Sequence, residues 1–462
     1  MMKRHIITGF YKNPSDVELG PDWEETRIKL LASNNTLKYG IDDLTKTLHQ
    51  MGIIPSGLGL DLLILAILVY LADTRVLRCV DSQDSWTREF CLVVPVSDVG
   101  KWQSCTKVLE KTLKFLTGDI WTLKFVQRDI SEDQLPNYFD ENINKEEFDV
   151  VTLFSGGMDS LISTINFLEE GKRPLLIRHA GDTFTSSIQS KVMNSLNEKY
   201  KLIAFKDLYY WLVFNKDIIS SESSENTTRS RSFLFIGLGV YAISGMQDIK
   251  ELMVPENGLI ALNVPLDNLR LGSLSTKTTH PYYLSMWNRI LEMIGFDIRI
   301  KNEYSNKTKG EMALECKNKQ LLKEILPISM SCSSANKSQR AGLGKKQHCG
   351  FCVPCIIRRA AIHIFIGLEN DPTNYSIPEI SKLIDNRNYE QGRQLRSFQV
   401  AIERIKNNPD IAQYLIHKSG PLEADANYLD DIKNMYIKGL LEVSKFIDDA
   451  LGIEGNFENE TI

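Results

Sequence analysis

Apolar positions change their period along this chain, and the changes mark three stretches. In the first, the run Leu62 to Ala72 is apolar on every side, which predicts a buried helix around Leu60 to Asp73. That run is well short of the ~20 apolar residues a membrane span needs. Phe90 to Val96 is a short apolar run rich in β-branched residues and reads as a buried strand; Ser104 to Leu116 reads as a helix. Residues 1–145 are therefore expected to form an accessory unit of α+β type. An acidic stretch from Ser131 to Glu147 reads as a linker.

From Phe148 the pattern shifts. Phe148 to Phe154 is an apolar run stopped by Ser-Gly-Gly, Leu161 to Leu168 has helical spacing, and Gly171 sits where that helix should stop. Pro174 to His179 is the next strand candidate, and Lys201 to Phe205 and Gly258 to Asn263 are two more. Strand, helix and strand at this spacing imply an α/β unit over 146–370, with a parallel sheet and helices on both faces. From 371 to 462 the pattern is helical, clearest at Phe398 to Ile405 and Tyr428 to Leu451, ending in a polar tail from Gly455.

Composition narrows the partners. At 462 residues the chain is long enough for two or three domains, and 43% hydrophobic with 24% charged residues is ordinary for a globular protein. A formal net charge of −5 gives no overall basic field, so nucleic acid is not an expected partner. Met1-Met2-Lys3-Arg4-His5 is basic, but no apolar signal segment follows. The expectation is a cytoplasmic protein without a membrane partner.

Two clusters carry chemistry. The first is Ser155-Gly156-Gly157-Met158-Asp159-Ser160, at the end of a predicted strand and the start of a predicted helix. Open α/β sheets bind ligands at such places. The two glycines let phosphate oxygens approach the backbone, the helix start offers free N–H groups, and Ser155 and Ser160 add hydroxyls. Asp159 would orient the loop or hold Mg²⁺. Neither a Walker A loop nor a G-x-G-x-x-G loop is present.

The second cluster lies among eight cysteines. Cys79, Cys91, Cys105 and Cys316 are scattered, whereas Cys332, Cys349, Cys352 and Cys355 crowd together. In a reducing compartment that spacing points to metal rather than disulfides. Four thiolates suit a closed, structural Zn²⁺ site, with an iron–sulfur cluster as the rival. His348 and His363 are nearby residues that could replace a thiolate.

The Ser-Gly-Gly loop resembles that of PP-loop ATP pyrophosphatases, which implies an adenine-nucleotide alpha-hydrolase-like fold and cleavage of ATP to AMP and pyrophosphate. With the cysteine pattern in the same order, residues 148–365 resemble the 7-cyano-7-deazaguanine synthase family, the QueC-like enzymes. That family shows an SGGxDS loop and, later, a Cys…Cys-Gly-x-Cys-x-x-Cys zinc site followed by an arginine-bearing helix, here CSSANKSQRAGLGKKQHCGFCVPCIIRR. Arg229 to Phe235 resembles its arginine-led helix, and Thr308-Lys309-Gly310-Glu311 its lysine segment. The resemblance implies bound ATP, Mg²⁺ and Zn²⁺, with Lys309 or Arg231 neutralising charge at the α-phosphate and Asp159 serving the metal.

It also implies a substrate, 7-carboxy-7-deazaguanine or a close analogue, adenylated and then joined to an amine as an amide or nitrile. The added N- and C-terminal regions make the chain similar to the enlarged QueC-like proteins of anti-phage operons, the Qat system and type IV CBASS. For these the acceptor is thought to be a protein amine, here one encoded in the same operon. One segment departs: Leu271 to Pro281 stands where simple synthases carry a Tyr-Pro-Asp-Cys-Arg-like sequence. A housekeeping synthase of queuosine biosynthesis, a tRNA-modifying PP-loop enzyme and a non-catalytic scaffold remain as alternatives. The oligomeric state stays open, a homo-oligomer included.

Overall fold

Two all-parallel sheets, each flanked by helices, organise the computed structural model. It describes residues 4–10, 22–33, 36–82, 84–130, 134–140, 145–215, 218–219, 225, 227, 229–267, 277–333, 335–336, 339, 342, 344–385 and 389–453. The polar tail from Gly455, residues 271–276 of the departing segment and parts of the acidic linker (131–133 and 141–144) lie outside the described residues.

The first sheet is built from β1 (Arg4–Phe10), β2 (Trp23–Lys29), β3 (Glu89–Val96) and β4 (Ile120–Gln127), in the order β2-β1-β3-β4. Between them run α1 (Ile41–Gln50), α2 (Gly57–Arg75), α3 (Arg78–Asp81) and α4 (Val99–Thr117). All three strand pairings are parallel, so this unit is an α/β layer and not the expected α+β one. Parallel neighbours need long crossover connections; α2 lies in the one that leads to β3, and α4 in the one from β3 to β4.

The second sheet has the order β7-β6-β5-β8-β9. Its elements are β5 (Val150–Leu153), α5 (Met158–Glu169), β6 (Pro174–Ala180), α6 (Thr183–Lys199), β7 (Lys206–Trp211), α7 (Arg231–Ile243), β8 (Glu251–Met253), α8 (Gly258–Leu262), α9 (Pro281–Ile294) and β9 (Arg299–Lys301). Then follow α10 (Lys309–Leu314), α11 (Lys319–Ile325), α12 (Val353–Ile366), α13 (Ile380–Asp385), α14 (Glu390–Asn407), α15 (Ala412–Leu415) and α16 (Ala426–Ala450).

Two strand expectations fail here. Lys201 to Phe205 is a turn after α6, closed by Ile203 N donating to Tyr200 O at 3.0 Å, and the strand begins at Lys206. Gly258 to Asn263 is helical: the Asn257 side chain accepts from Ile260 N at 3.2 Å and caps it, and Asn263 ends it at φ 46°. A short apolar run fits a strand or a buried helix equally, and the cap decided.

Helix α2 lies between the two sheets, against β1 and β3 on one side and α7 on the other. By length and composition it could cross a membrane, yet Leu62, Leu63, Ile64, Leu65, Leu68, Val69 and Leu71 are fully buried inside the fold. Burial of each such side chain contributes ~1.5–3 kcal/mol. Small residues bring α2 and α7 together: a Cβ on Gly237 would lie 3.0 Å from Ala66 Cβ, and one on Gly59 would lie 2.9 Å from Ser244 Cβ. One apolar core therefore runs from Ile7 and Leu92 through α2 and α7 to Val151, Ile177 and Leu252. The boundary near 146 divides the chain but not the core.

The two carboxylates of α2 are partnered. Asp61 faces Arg128 at 3.3 Å. Asp73 meets the fully buried Arg88 at 2.6 Å and accepts from Ser230 N at 3.1 Å. Burial opposes ionisation of Asp73, but Arg88 and the Ser230 hydrogen bonds outweigh it and hold its carboxyl below the usual range. The first unit thus fixes the start of α7, the helix that opens with Arg231.

Candidate functional site

The chain runs outward from β5 through β6 to β7, then returns to β8 on the other side of β5. The order reverses between β5 and β8, and ligands of open α/β sheets sit beyond the carboxyl ends of the strands at such a point. Ser155 to Ser160 follows β5 there, and Glu256 and Asn257 follow β8.

The loop geometry depends on its glycines. Gly156 has φ 80°, which an L side chain rarely adopts, and a Cβ there would lie 3.2 Å from Gln189 Cγ. Gly157 caps α5 in extended conformation and, having no side chain, makes no cap hydrogen bond of its own. Ser155 Oγ accepts from Gly157 N at 3.2 Å and lies 3.2 Å from Ser160 Oγ, and Ser160 Oγ donates to Gly157 O at 3.1 Å. The first turn of α5 lines a cleft, and a helix N-terminus at a cleft suits an anion.

Asp159 is buried on the first turn of α5. Its Oδ2 accepts from Asn257 N at 3.2 Å and Asn257 Nδ2 at 2.8 Å, and its Oδ1 lies 2.7 Å from Lys309 Nζ. Burial opposes its ionisation, but Lys309 and hydrogen bonds from Glu256 and Asn257 hold the carboxyl below its usual range. Burial, and then the Asp159 charge, push Glu256 well above the carboxylate range. Two carboxyls are crowded here, and they are not both charged without help.

Lys309 opens α10. Thr308 caps that helix, accepting from Glu311 N at 3.0 Å, while Glu311 Oε2 accepts from Thr308 N at 2.8 Å. Arg231 is anchored by Nη2 donating to His179 O at 2.8 Å. Ser155, Gly157, Asp159, Arg231, Glu256 and Lys309 all line one cleft of about 250 Å³. The structure brings the three residues expected to be catalytic onto the same walls as the loop.

The four clustered cysteines form a compact centre beside this cleft. Cys332 Sγ lies 3.8 Å from Cys352 Sγ, Cys349 Sγ lies 3.9 Å from Cys355 Sγ, and all four sulfurs are within 4.8 Å of one another. Tetrahedral Zn²⁺ with bonds of ~2.3 Å places sulfurs ~3.8 Å apart. The cluster can therefore hold a metal such as zinc. Gly350, at φ 85°, makes the turn between Cys349 and Cys352. His348 Nε2 accepts from Ser331 N at 3.1 Å, and His363 Nε2 lies 2.7 Å from Asp449 Oδ2, so both histidines are engaged elsewhere. Cys79, Cys91, Cys105 and Cys316 are free.

The two clusters are joined by residues 330–332. Met330 N donates to Gly156 O at 2.9 Å, and Ser331 Oγ accepts from Met158 N at 3.3 Å. Cys332 follows directly. Arg358, fully buried on α12 one turn beyond Cys355, donates to Ser331 Oγ at 3.3 Å and to Ser329 Oγ at 3.0 Å. A metal holding the cysteines would thus also hold the backbone that supports the glycine loop.

Sequence reasoning missed Glu256, Asn257 and Ser331. Pro255-Glu256-Asn257-Gly258 held the signal, an asparagine poised to cap a helix, but the apolar run behind it read as a strand. The departing segment contributes no described residue to the cleft: its last residues lead into α9, where His280 Nδ1 accepts from Tyr282 N at 3.1 Å. Comparison with known proteins finds no matching family model and no matching curated relative.

Proposed function

We propose that this chain is an ATP-dependent C–N ligase of the PP-loop type that adenylates the carboxylate of 7-carboxy-7-deazaguanine or a close analogue. The observation that carries the reading is the convergence of Lys309, Asp159 and Arg231 with the Ser-Gly-Gly loop at the point where the strand order reverses. A four-thiolate centre one residue away from that wall agrees with it.

A carboxylate is a poor electrophile because its leaving group would be oxide. Attack of a carboxylate oxygen on the α-phosphorus of ATP forms an acyl-adenylate and expels pyrophosphate. The loop N–H groups and the Ser155 hydroxyl would hold the phosphates, while Ser160, expected to do the same, would brace the loop through Gly157 O. Lys309 and Arg231 would offset the charge that builds at the α-phosphate. Asp159 and Glu256 are the carboxylates that would hold Mg²⁺, whose charge would relieve their crowding and offset phosphate charge. An amine then displaces AMP and leaves an amide. With ammonia, a second adenylation and loss of oxygen give a nitrile; with a protein N-terminus the product is a conjugate.

The protein amine is the preferred acceptor, because the N-terminal layer and the C-terminal helices exceed what a small substrate requires. The reading implies a cytoplasmic enzyme of anti-phage defence, its acceptor encoded beside it. The zinc centre would be structural, held by Cys332, Cys349, Cys352 and Cys355. Incubation with ATP, 7-carboxy-7-deazaguanine and ammonia, followed by mass spectrometry, tests the acceptor. Little or no nitrile agrees with conjugation; efficient nitrile release without a partner contradicts it and favours the queuosine-type synthase.

A further inference from the structure

Helix α16, from the C-terminal region, touches three elements that build the cleft. Its Glu442 accepts hydrogen bonds from Thr308 Oγ1 and, at 3.3 Å, from Gly310 N. These two residues flank Lys309. One turn earlier, Lys438 lies 3.0 Å from Glu311 Oε1, so α16 holds α10 by a second pair. Met435 and Gly439 pack on Gly258 and Leu259 of α8, just after Glu256 and Asn257. Asp449 meets His363 of α12, the helix that carries Cys355.

The fit at Glu442 is close. A Cβ on Gly310 would lie 2.5 Å from Glu442 Oε1, so the carboxylate sits hard against Gly310 and would have to shift for any larger residue. Thr308 and Glu311 already complete a capping box, so α10 does not need Glu442 to begin. What Glu442 adds is a fixed position for the backbone on both sides of the lysine. Lys309 must reach inward to Asp159 from a helix of six residues, too short to hold its own direction.

We infer that Glu442 is a positioning residue for Lys309, through which the C-terminal helix sets the ammonium against Asp159 in the cleft. The inference rests on the proposed function only in giving Lys309 a task at the phosphate; the placement itself can be read without turnover.

The test is lysine acylation on the full-length, zinc-loaded protein, followed residue by residue by mass spectrometry. Lys309 should be protected in the wild type, whereas Lys107, 92% exposed, should react freely. In Glu442→Ala, Lys309 should react about fivefold faster or more as local opening becomes easier, with Lys107 unchanged. Glu442→Gln keeps an acceptor for Gly310 N and should restore most of the protection. Turnover by Glu442→Ala should fall about tenfold in kcat with KM for ATP little changed, since a misplaced catalytic group costs rate more than binding. Unchanged Lys309 labelling in folded Glu442→Ala overturns the inference whatever turnover does. A wild-type protein that releases no pyrophosphate would sink the functional reading alone and leave the labelling result standing. If Glu442→Ala does not fold, Gly310→Ala, which drives a Cβ onto the Glu442 carboxylate, is judged by the same two labelling outcomes.

Discussion

Lys309 Nζ of α10 and Asp159 Oδ1 of α5 meet at 2.7 Å with their side chains only 4% and 7% exposed. Removing one partner leaves an uncompensated buried charge, which costs ~3–5 kcal/mol, whereas removing both is far cheaper. Lys309→Met and Asp159→Asn should each destabilise by that order, and the double variant by clearly less than their sum. Urea unfolding of the four proteins checks this; additive losses would show that the pair does not interact. In turnover, Lys309→Met should lower pyrophosphate release ~10²–10³-fold, as loss of a charge-stabilising group at a reacting centre does.

Glu442 should give stability a pH slope. Burial, with Glu311 adding to it, raises its carboxyl from 4.5 to about 7, against hydrogen bonds from Thr308 and Gly310 and the charge of Lys438. The folded state then binds more protons than the unfolded one between these values. The contribution is present in full below the unfolded value and is lost as pH rises through about 7. Melting temperatures measured from acid to mildly alkaline pH should fall less steeply in Glu442→Gln than in the wild type. Equal slopes would contradict this.

The metal should be zinc at one ion per chain, without iron, by elemental analysis of protein purified under reducing conditions. Stripping it, or making Cys355→Ser, should free residues 329–355 and loosen the loop through Met330 and Ser331. Limited proteolysis should then cut within that segment, and ATP affinity should fall along with it. An iron-containing protein, or ATP binding indifferent to metal, would count against the arrangement.

At the helix crossing, Gly59→Ala forces a methyl against Ser244, whose Oγ already accepts from Ser56 N and donates to Tyr241 O. Overpacking of this kind costs ~1–3 kcal/mol. Urea unfolding should show the loss with little change in zinc content, since the crossing is remote from the thiolates; a neutral substitution would mean that α2 and α7 can slide apart.

What the sequence revealed followed from how local each signal was. The glycine loop and the four cysteines are short contiguous patterns whose chemistry needs no partner from elsewhere, and both sit in the structure as compact clusters. Helix α2 was readable because a run apolar on every side has to be buried. Other features depend on distant residues. Asp159 meets Asn257 and Lys309 across the reversal of strand order, and only the resemblance drew attention to Lys309. Gly258 to Asn263 and Lys201 to Phe205 are short apolar runs whose state was set by a cap and by a turn. The parallel first sheet was hidden because its direction is fixed by crossovers, not by strand residues. Glu442 gave no local sign at all, since its role depends on Gly310 lying far earlier in the chain.

The central claim is that a carboxylate attacks the α-phosphate of ATP in this cleft. It is tested most directly with 7-carboxy-7-deazaguanine carrying ¹⁸O in both carboxylate oxygens, supplied with ATP, Mg²⁺ and an amine. AMP bearing one ¹⁸O, formed with pyrophosphate and abolished in Lys309→Met, is the predicted result. Unlabelled AMP, or ADP and phosphate in its place, would contradict it.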